Sequence, residues 1–186
     1  MHFGHFIILA TSLLYHLAAA NETRPWLMPT EYIDSDHPTI VARAESITKD
    51  ADDQRSKAIY IHDYVRDEVR FGWSSDFYDQ KASEVLEEGV GFCNTKSTLM
   101  VALLRAAGIP ARQRFVDIRS EIIIDFIDPR TDYVDHSFVE VYLDGVWHQI
   151  DSYIVDEPLA RAARHSLSLE GRVVGYGIHI NGTSHW

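Results

Sequence analysis

Apolar residues recur at every third or fourth position through two stretches, Ile40, Val41, Ala44 and Ile47 within 39–50 and Ala58, Ile59, Ile61, Val65 and Val69 within 53–71. That spacing approximates the period of a helix with one buried face, so it predicts two amphipathic helices. A short helix is expected over 83–88, capped by Ser83 and stopped by Gly89. A longer one runs from Cys93 to about Ala107, where Gly108 and Pro110 end it. Beyond Pro110 the pattern changes. QRFVDI, EIIIDFI, HSFVEVYL, VWHQIDSYI and VVGYGIHI are short β-branched or aromatic runs separated by Pro, Asp and Gly, and each reads as a strand. Residues 157–170, closed by Gly171, predict one more helix lying over the sheet. Helices first and strands second, without βαβ alternation, give an α+β domain with an antiparallel sheet.

The pair HSFVEVYL and VWHQIDSYI is joined by Asp144-Gly145, a two-residue hairpin signal. With those residues as the turn, facing positions sum to 289, so Leu143 faces Val146 and Phe138 faces Asp151. Alternation then puts His136, Phe138, Glu140 and Tyr142 on one face with Trp147, Gln149, Asp151 and Tyr153. His136 and Asp151 are diagonal neighbours, near enough for an imidazole to reach a carboxylate. Val139, Val141, Leu143, Val146 and Ile150 form the apolar face. His148 belongs to that face and reads as a core or edge histidine, which removes it from any metal set with His136 and Asp151.

Residues 1–20 carry no Lys, Arg, Asp or Glu, and their apolar run ends in Ala18-Ala19-Ala20, the form of a signal peptide with a small-residue cleavage site. Tyr15 and His16 interrupt the run, so no stable membrane span is expected. Cleavage would make the protein secreted or extracytoplasmic; an uncleaved chain would be cytoplasmic. The sequons Asn21-Glu-Thr23 and Asn181-Gly-Thr183 suit secretion, although so short a pattern recurs by chance. The chain thus divides into a leader (1–20), an extended arm rich in Pro, Asp and Thr (21–38) and one domain (39–186). A length of 186 residues with 46% hydrophobic and 24% charged residues excludes disorder and fibrous repeats. The net charge of −11 sets the chain's field against nucleic acid. Its single cysteine forbids an internal disulfide and any multi-cysteine metal site.

That cysteine, Cys93, opens the helix expected to run to about Ala107, directly after Gly89-Val90-Gly91-Phe92. Free N–H groups at a helix start stabilise an anion and so favour a thiolate. A lone cysteine is more often a small buried hydrophobe. Here a His and an Asp on one sheet face accompany it, and those three residue types are what nucleophilic acyl transfer uses. In that scheme Cys93 attacks, His136 takes and returns the proton, and Asp151 orients the imidazole. Asp135 adjoins His136 but points to the other face. Lys96, one turn along the helix, reads either as a solvated side chain or as a cation serving the thiolate.

GVGFCNTKSTLMVALLRAAGIPARQRFVDI followed by DHSFVEVYLDGVWHQIDSY closely resembles the transglutaminase-like superfamily over residues 81–153. The resemblance implies a papain-like core in which the nucleophile helix abuts the antiparallel sheet, and thiol-dependent acyl transfer or amide hydrolysis. It matches Cys93 to the nucleophile, His136 to the base and Asp151 to the orienting acid. Ser152 stands where the family commonly has Pro. Upstream of the cysteine there is no match for the oxyanion-hole aromatic or Gln. Trp73 is a candidate for that donor through its indole N–H, and also fits as an ordinary packing aromatic.

The leading functional expectation is a cysteine hydrolase acting on peptide, isopeptide or other amide bonds through Cys93, His136 and Asp151. It needs no cofactor and no metal, and its partner is a peptide or protein amide substrate. An amine-acceptor transglutaminase that cross-links proteins is the alternative enzyme. The third alternative is a catalytically idle binding module on the same fold, which an intact Cys, His and Asp set disfavours.

Overall fold

The helix that opens at Cys93 lies at the centre of the molecule. The computed structural model describes residues 22–183, and the expected leader lies outside the described residues. Helix α1 (Pro38–Thr48) starts with proline at its first turn, and α2 (Gln54–Asp67) is capped by Asp53, whose carboxylate accepts the Ser56 N–H at 2.7 Å. Both turn apolar faces inward through Ile40, Ala44, Ala58, Ile61 and Val65. Helix α3 (Ala82–Glu88) ends on Gly89 in the left-handed conformation, as expected. Its cap is Lys81 rather than Ser83, because Ser83 is held by Asp34 at 2.6 Å.

Helix α4 (Cys93–Ala106) is buried on every side from Asn94 to Arg105, which makes it the core helix. Leu99, Met100, Leu103 and Leu104 are fully enclosed by α1, α2 and the sheet. Truncating any one of these to Ala costs about 2–5 kcal/mol.

The sheet orders three antiparallel strands, β3 (Ala111–Arg119), β4 (Tyr133–Leu143) and β5 (Val146–Ile150). The β4–β5 register follows the hairpin arithmetic: Leu143 pairs with Val146 and Glu140 with Gln149. Asp144 and Gly145 both adopt positive φ, as a tight turn of that twist requires. Two expectations for this hairpin fail. Val146 sits on the apolar face but is exposed, because it lies at the hairpin tip. The last strand ends at Ile150, so the chain turns after Asp151 and carries Tyr153 into the core instead of the polar face.

EIIIDFI is not a strand. Ser120–Ile123 forms a 3-10 turn and Asp125 takes a positive φ. A two-stranded parallel pair, β1 (Arg70–Phe71) with β2 (Val90–Gly91), draws the end of α2 beside the entry to α4. Helix α5 (Glu157–Glu170) keeps its expected bounds, capped by Asp156 and closed by Gly171. It packs mainly on the small hairpin β6 (Val174–Gly175) and β7 (Ile178–His179) rather than on the three-stranded sheet. Within the arm, Arg24–Leu27 forms a 3-10 turn whose Trp26 meets Trp147 edge-on at 6.3 Å.

Candidate active site

Cys93 begins α4 where the β1–β2 pair delivers the chain to it. Gly91 makes that entry possible: a Cβ there would lie 2.8 Å from Thr95 Oγ1 and 3.3 Å from the Lys96 amide nitrogen. Thr95 Oγ1 instead accepts the Phe92 N–H at 3.1 Å and fixes the first turn. The thiol is partly exposed and Sγ lies 3.9 Å from Asn94 Oδ1.

His136 and Asp151 meet across the hairpin. Nε2 of His136 lies 3.0 Å from Oδ1 and 3.1 Å from Oδ2 of Asp151, which leaves Nδ1 for the thiol. Burial opposes charge on the imidazole, but hydrogen bonding to Asp151 and Cys93 and their negative charge outweigh it and hold His136 up to about 10. The structure therefore brings the three expected residues together. Asp135, expected on the opposite face, lines the same cleft, but its carboxylate bonds to other residues than His136. Its Oδ2 accepts the Tyr78 hydroxyl at 2.7 Å and the Asn94 amide at 3.2 Å.

A buried polar hub joins the three from behind, and sequence reasoning missed it. Ser97, one turn after Cys93, donates to the Cys93 carbonyl at 2.6 Å. Its hydroxyl also meets Tyr153, two residues after Asp151, at 2.5 Å, and Ser137, next to His136, at 3.0 Å. Gln113 of β3 donates to Ser137 Oγ at 3.1 Å and to the Asn94 carbonyl at 3.0 Å. Helix, sheet and turn are thus tied together close to Cys93, His136 and Asp151. The signal available in the sequence was Ser137, a polar residue on the face that otherwise carries Val139, Val141 and Leu143.

Lys96 corrects both readings made for it. It is fully buried, and Nζ donates to the carbonyls of Val69 at 2.7 Å, Ile154 at 2.9 Å and Arg66 at 3.3 Å. Burial pushes it down to about 7. It ties α2, the start of β1 and the turn after Asp151 to α4; none of its hydrogen bonds is to the thiol. Ser152 has a partner that Pro could not have: its hydroxyl meets Nε2 of buried His62 at 2.9 Å, and Nδ1 of that histidine meets Asp63 at 2.8 Å. Burial pushes His62 below the ordinary range. His148 is half-buried with Nε2 lacking a hydrogen-bond partner. Among the described residues no group of three or more His, Cys, Asp or Glu could hold a metal ion.

Cys93, His136 and Asp151 open onto a cleft of about 950 Å³. Trp73 lines it, 41% exposed and packed at 5.3 Å from the Phe71 ring, so the candidate oxyanion donor is also a packing aromatic.

Among curated proteins none matches this sequence. Among solved structures, the chain is similar to a candidate cysteine protease from Cytophaga hutchinsonii at 25% identity and a TM-score of 0.58, covering 70% of this chain and 41% of that one. It is also similar to the periplasmic domain of TgpA from Pseudomonas aeruginosa at 20% identity and a TM-score of 0.49, covering 73% and 50% respectively. The chain therefore spans about half or less of these proteins' length. A family model of the transglutaminase-like superfamily matches residues 41–152, which begins in α1 and takes in every element up to the turn after β5. With helix α4 against an antiparallel sheet and that match across more than half its length, the chain belongs to the transglutaminase-like superfamily.

Proposed function

We propose that the protein is a cysteine hydrolase of peptide or other amide bonds, with Cys93 as nucleophile, His136 as general base and acid, and Asp151 as the residue that orients the imidazole. The single observation that carries this reading is the bond from His136 Nε2 to Asp151 at 3.0 Å, with Cys93 as the other partner of the same ring. The imidazole accepts the thiol proton, and the imidazolium so formed, held beside the sulfur by Asp151, is the counterion for the thiolate.

In the reaction the thiol proton passes to His136 and Sγ bonds to the amide carbonyl carbon. The C–N bond then breaks, and the proton on His136 goes to the leaving nitrogen, giving a thioester and a free amine. Water attacks the thioester carbonyl while His136 takes a proton from it. The C–S bond breaks, the acid departs and the proton returns to sulfur. The Cys93 backbone N–H, at the start of α4, is suited to bind the oxyanion, with the Trp73 indole as the second donor. The likeness to a candidate cysteine protease supports water as acceptor.

Intact-mass spectrometry of the protein with a mixed peptide pool tests the reading. A transient acyl adduct on Cys93 that is absent from Cys93→Ala, and that decays to free acid, is expected. Peptide cleavage that persists in Cys93→Ala would overturn the assignment. Adducts that form but transfer only to added amine, never to water, would favour cross-linking over hydrolysis.

A further inference from the structure

The wall of the cleft beside the nucleophile is a continuous row of aromatic rings. Tyr78 and Phe77 have ring centroids 4.4 Å apart, Phe77 stacks on Phe92 at 4.9 Å, and Phe92 meets Trp73 at 6.3 Å. Trp73 continues to Phe71 at 5.3 Å, which meets Phe126 at 4.7 Å. Phe92, third in this row, immediately precedes Cys93 in the chain, and both line the cleft. The row runs toward the 120–127 segment, where Ile122, Ile123 and Ile127 extend the same surface.

Phe92 is buried, but half of the row is not finished core. Trp73, Phe77 and Tyr78 are 41–47% exposed and Ile127 is 50% exposed. A contiguous apolar patch of this kind rimmed by polar groups marks a binding surface, and aromatic walls gain most when a second apolar group covers them. The charged side chains lining the cleft do not favour a charged occupant. Asp135 is already taken by Tyr78 and Asn94, Asp151 by His136, Glu121 lies 3.9 Å from Arg119, and Arg164 donates to the Gly182 carbonyl at 3.2 Å. A volume of about 950 Å³ lies near the top of the usual ~300–1,000 Å³ for ligand pockets, room for more than one bulky side chain.

Building on the hydrolase reading, we propose that the substrate is a peptide segment carrying aromatic or branched aliphatic side chains within two residues of the amide bond that Cys93 attacks. The aromatic row seats those side chains and so sets both affinity and the position of the bond over Sγ. A charged side chain in the same place would lose its water without gaining a partner.

Cleavage of a randomised decapeptide library by the intact protein, with cut sites read by mass spectrometry, tests this. Expected is enrichment of Phe, Tyr, Trp, Leu, Ile or Val within two positions of the cut, with kcat/KM at least about tenfold above that for peptides flanked by Gly or Ser. Phe77→Ser and Ile127→Ser, both at exposed positions, should each narrow that ratio about threefold to tenfold. Cuts spread evenly over flanking residues, or confined to charged flanks, would overturn the proposal and leave the hydrolase standing. Turnover of a fatty-acyl amide with no peptide cut would overturn it also. If no bond is cut and Cys93 never carries an acyl group, the hydrolase reading fails, and the substrate class with it.

Discussion

Asp151, one residue past the end of β5, reaches back to His136 on β4 and presents both carboxylate oxygens to Nε2, at 3.0 and 3.1 Å. Asp135, although adjacent in sequence, spends its carboxylate on Tyr78 and Asn94. The two aspartates should therefore separate in activity. Asp151→Asn removes the charge that holds the imidazole in place and is expected to lower kcat/KM for peptide hydrolysis by on the order of 10²–10⁴. Asp135→Asn should lower it by less than about tenfold. Steady-state kinetics on one cleaved peptide checks both, and equal losses would contradict the assignment of Asp151.

The bond from Ser152 to His62 holds the backbone directly after Asp151. Ser152→Ala should slow turnover by roughly threefold to tenfold, less than Asp151→Asn, because the carboxylate survives but its mooring loosens. An unchanged rate, or a loss as large as that of Asp151→Asn, would count against this positioning role.

Lys96 links stability to pH. In the fold burial pushes it down to about 7, whereas the unfolded chain keeps the ordinary ~10.4. Between those values the unfolded state binds more protons, so the charge-burial cost, fully present below pH 7, fades as pH rises. The urea midpoint of the wild type should rise relative to that of Lys96→Met from pH 7 to about 10. His136, held up to about 10, acts in the opposite sense: its contribution is full below about 6.5 and is lost as pH rises through 10. Both proteins carry His136, so the difference isolates Lys96. A flat difference would contradict the reading.

Tyr153 is fully buried with its hydroxyl on Ser97. Tyr153→Phe leaves the ring and removes one member of the hub, at a cost of about 1–2 kcal/mol. The melting temperature should fall by roughly 2–8 °C. A rise would mean that the hub is not satisfied as drawn.

What could be read from the chain was what local pattern controls. Helices α4 and α5 kept their starts and stops, because Gly108 and Gly171 end them whatever surrounds them. The β4–β5 register followed from Asp144-Gly145, and that register brought His136 to Asp151. What could not be read depended on tertiary partners. Lys96 looked solvated because Lys usually is, and only the three carbonyls converging from α2, the start of β1 and the 151–155 turn make its burial tolerable. EIIIDFI looked like a strand, yet Gly177 and Tyr176 donate their N–H groups to the carbonyls of Ile122 and Ile124, bending the segment over the cleft. The hub on Ser97 joins residues as far apart as 97, 137 and 153, a juxtaposition no spacing reveals.

Activation of Cys93 by His136 is tested most directly by the rate of iodoacetamide modification of the native protein between pH 5 and 9. A thiolate stabilised by the start of α4 and by a charged imidazole should retain most of its pH 9 rate at pH 6. Free cysteine, with its ordinary pKa of about 8.5, retains under about 1%. His136→Ala should abolish that plateau. A native thiol that reacts no faster at pH 6 than free cysteine, or only after unfolding, would contradict Cys93 as the nucleophile.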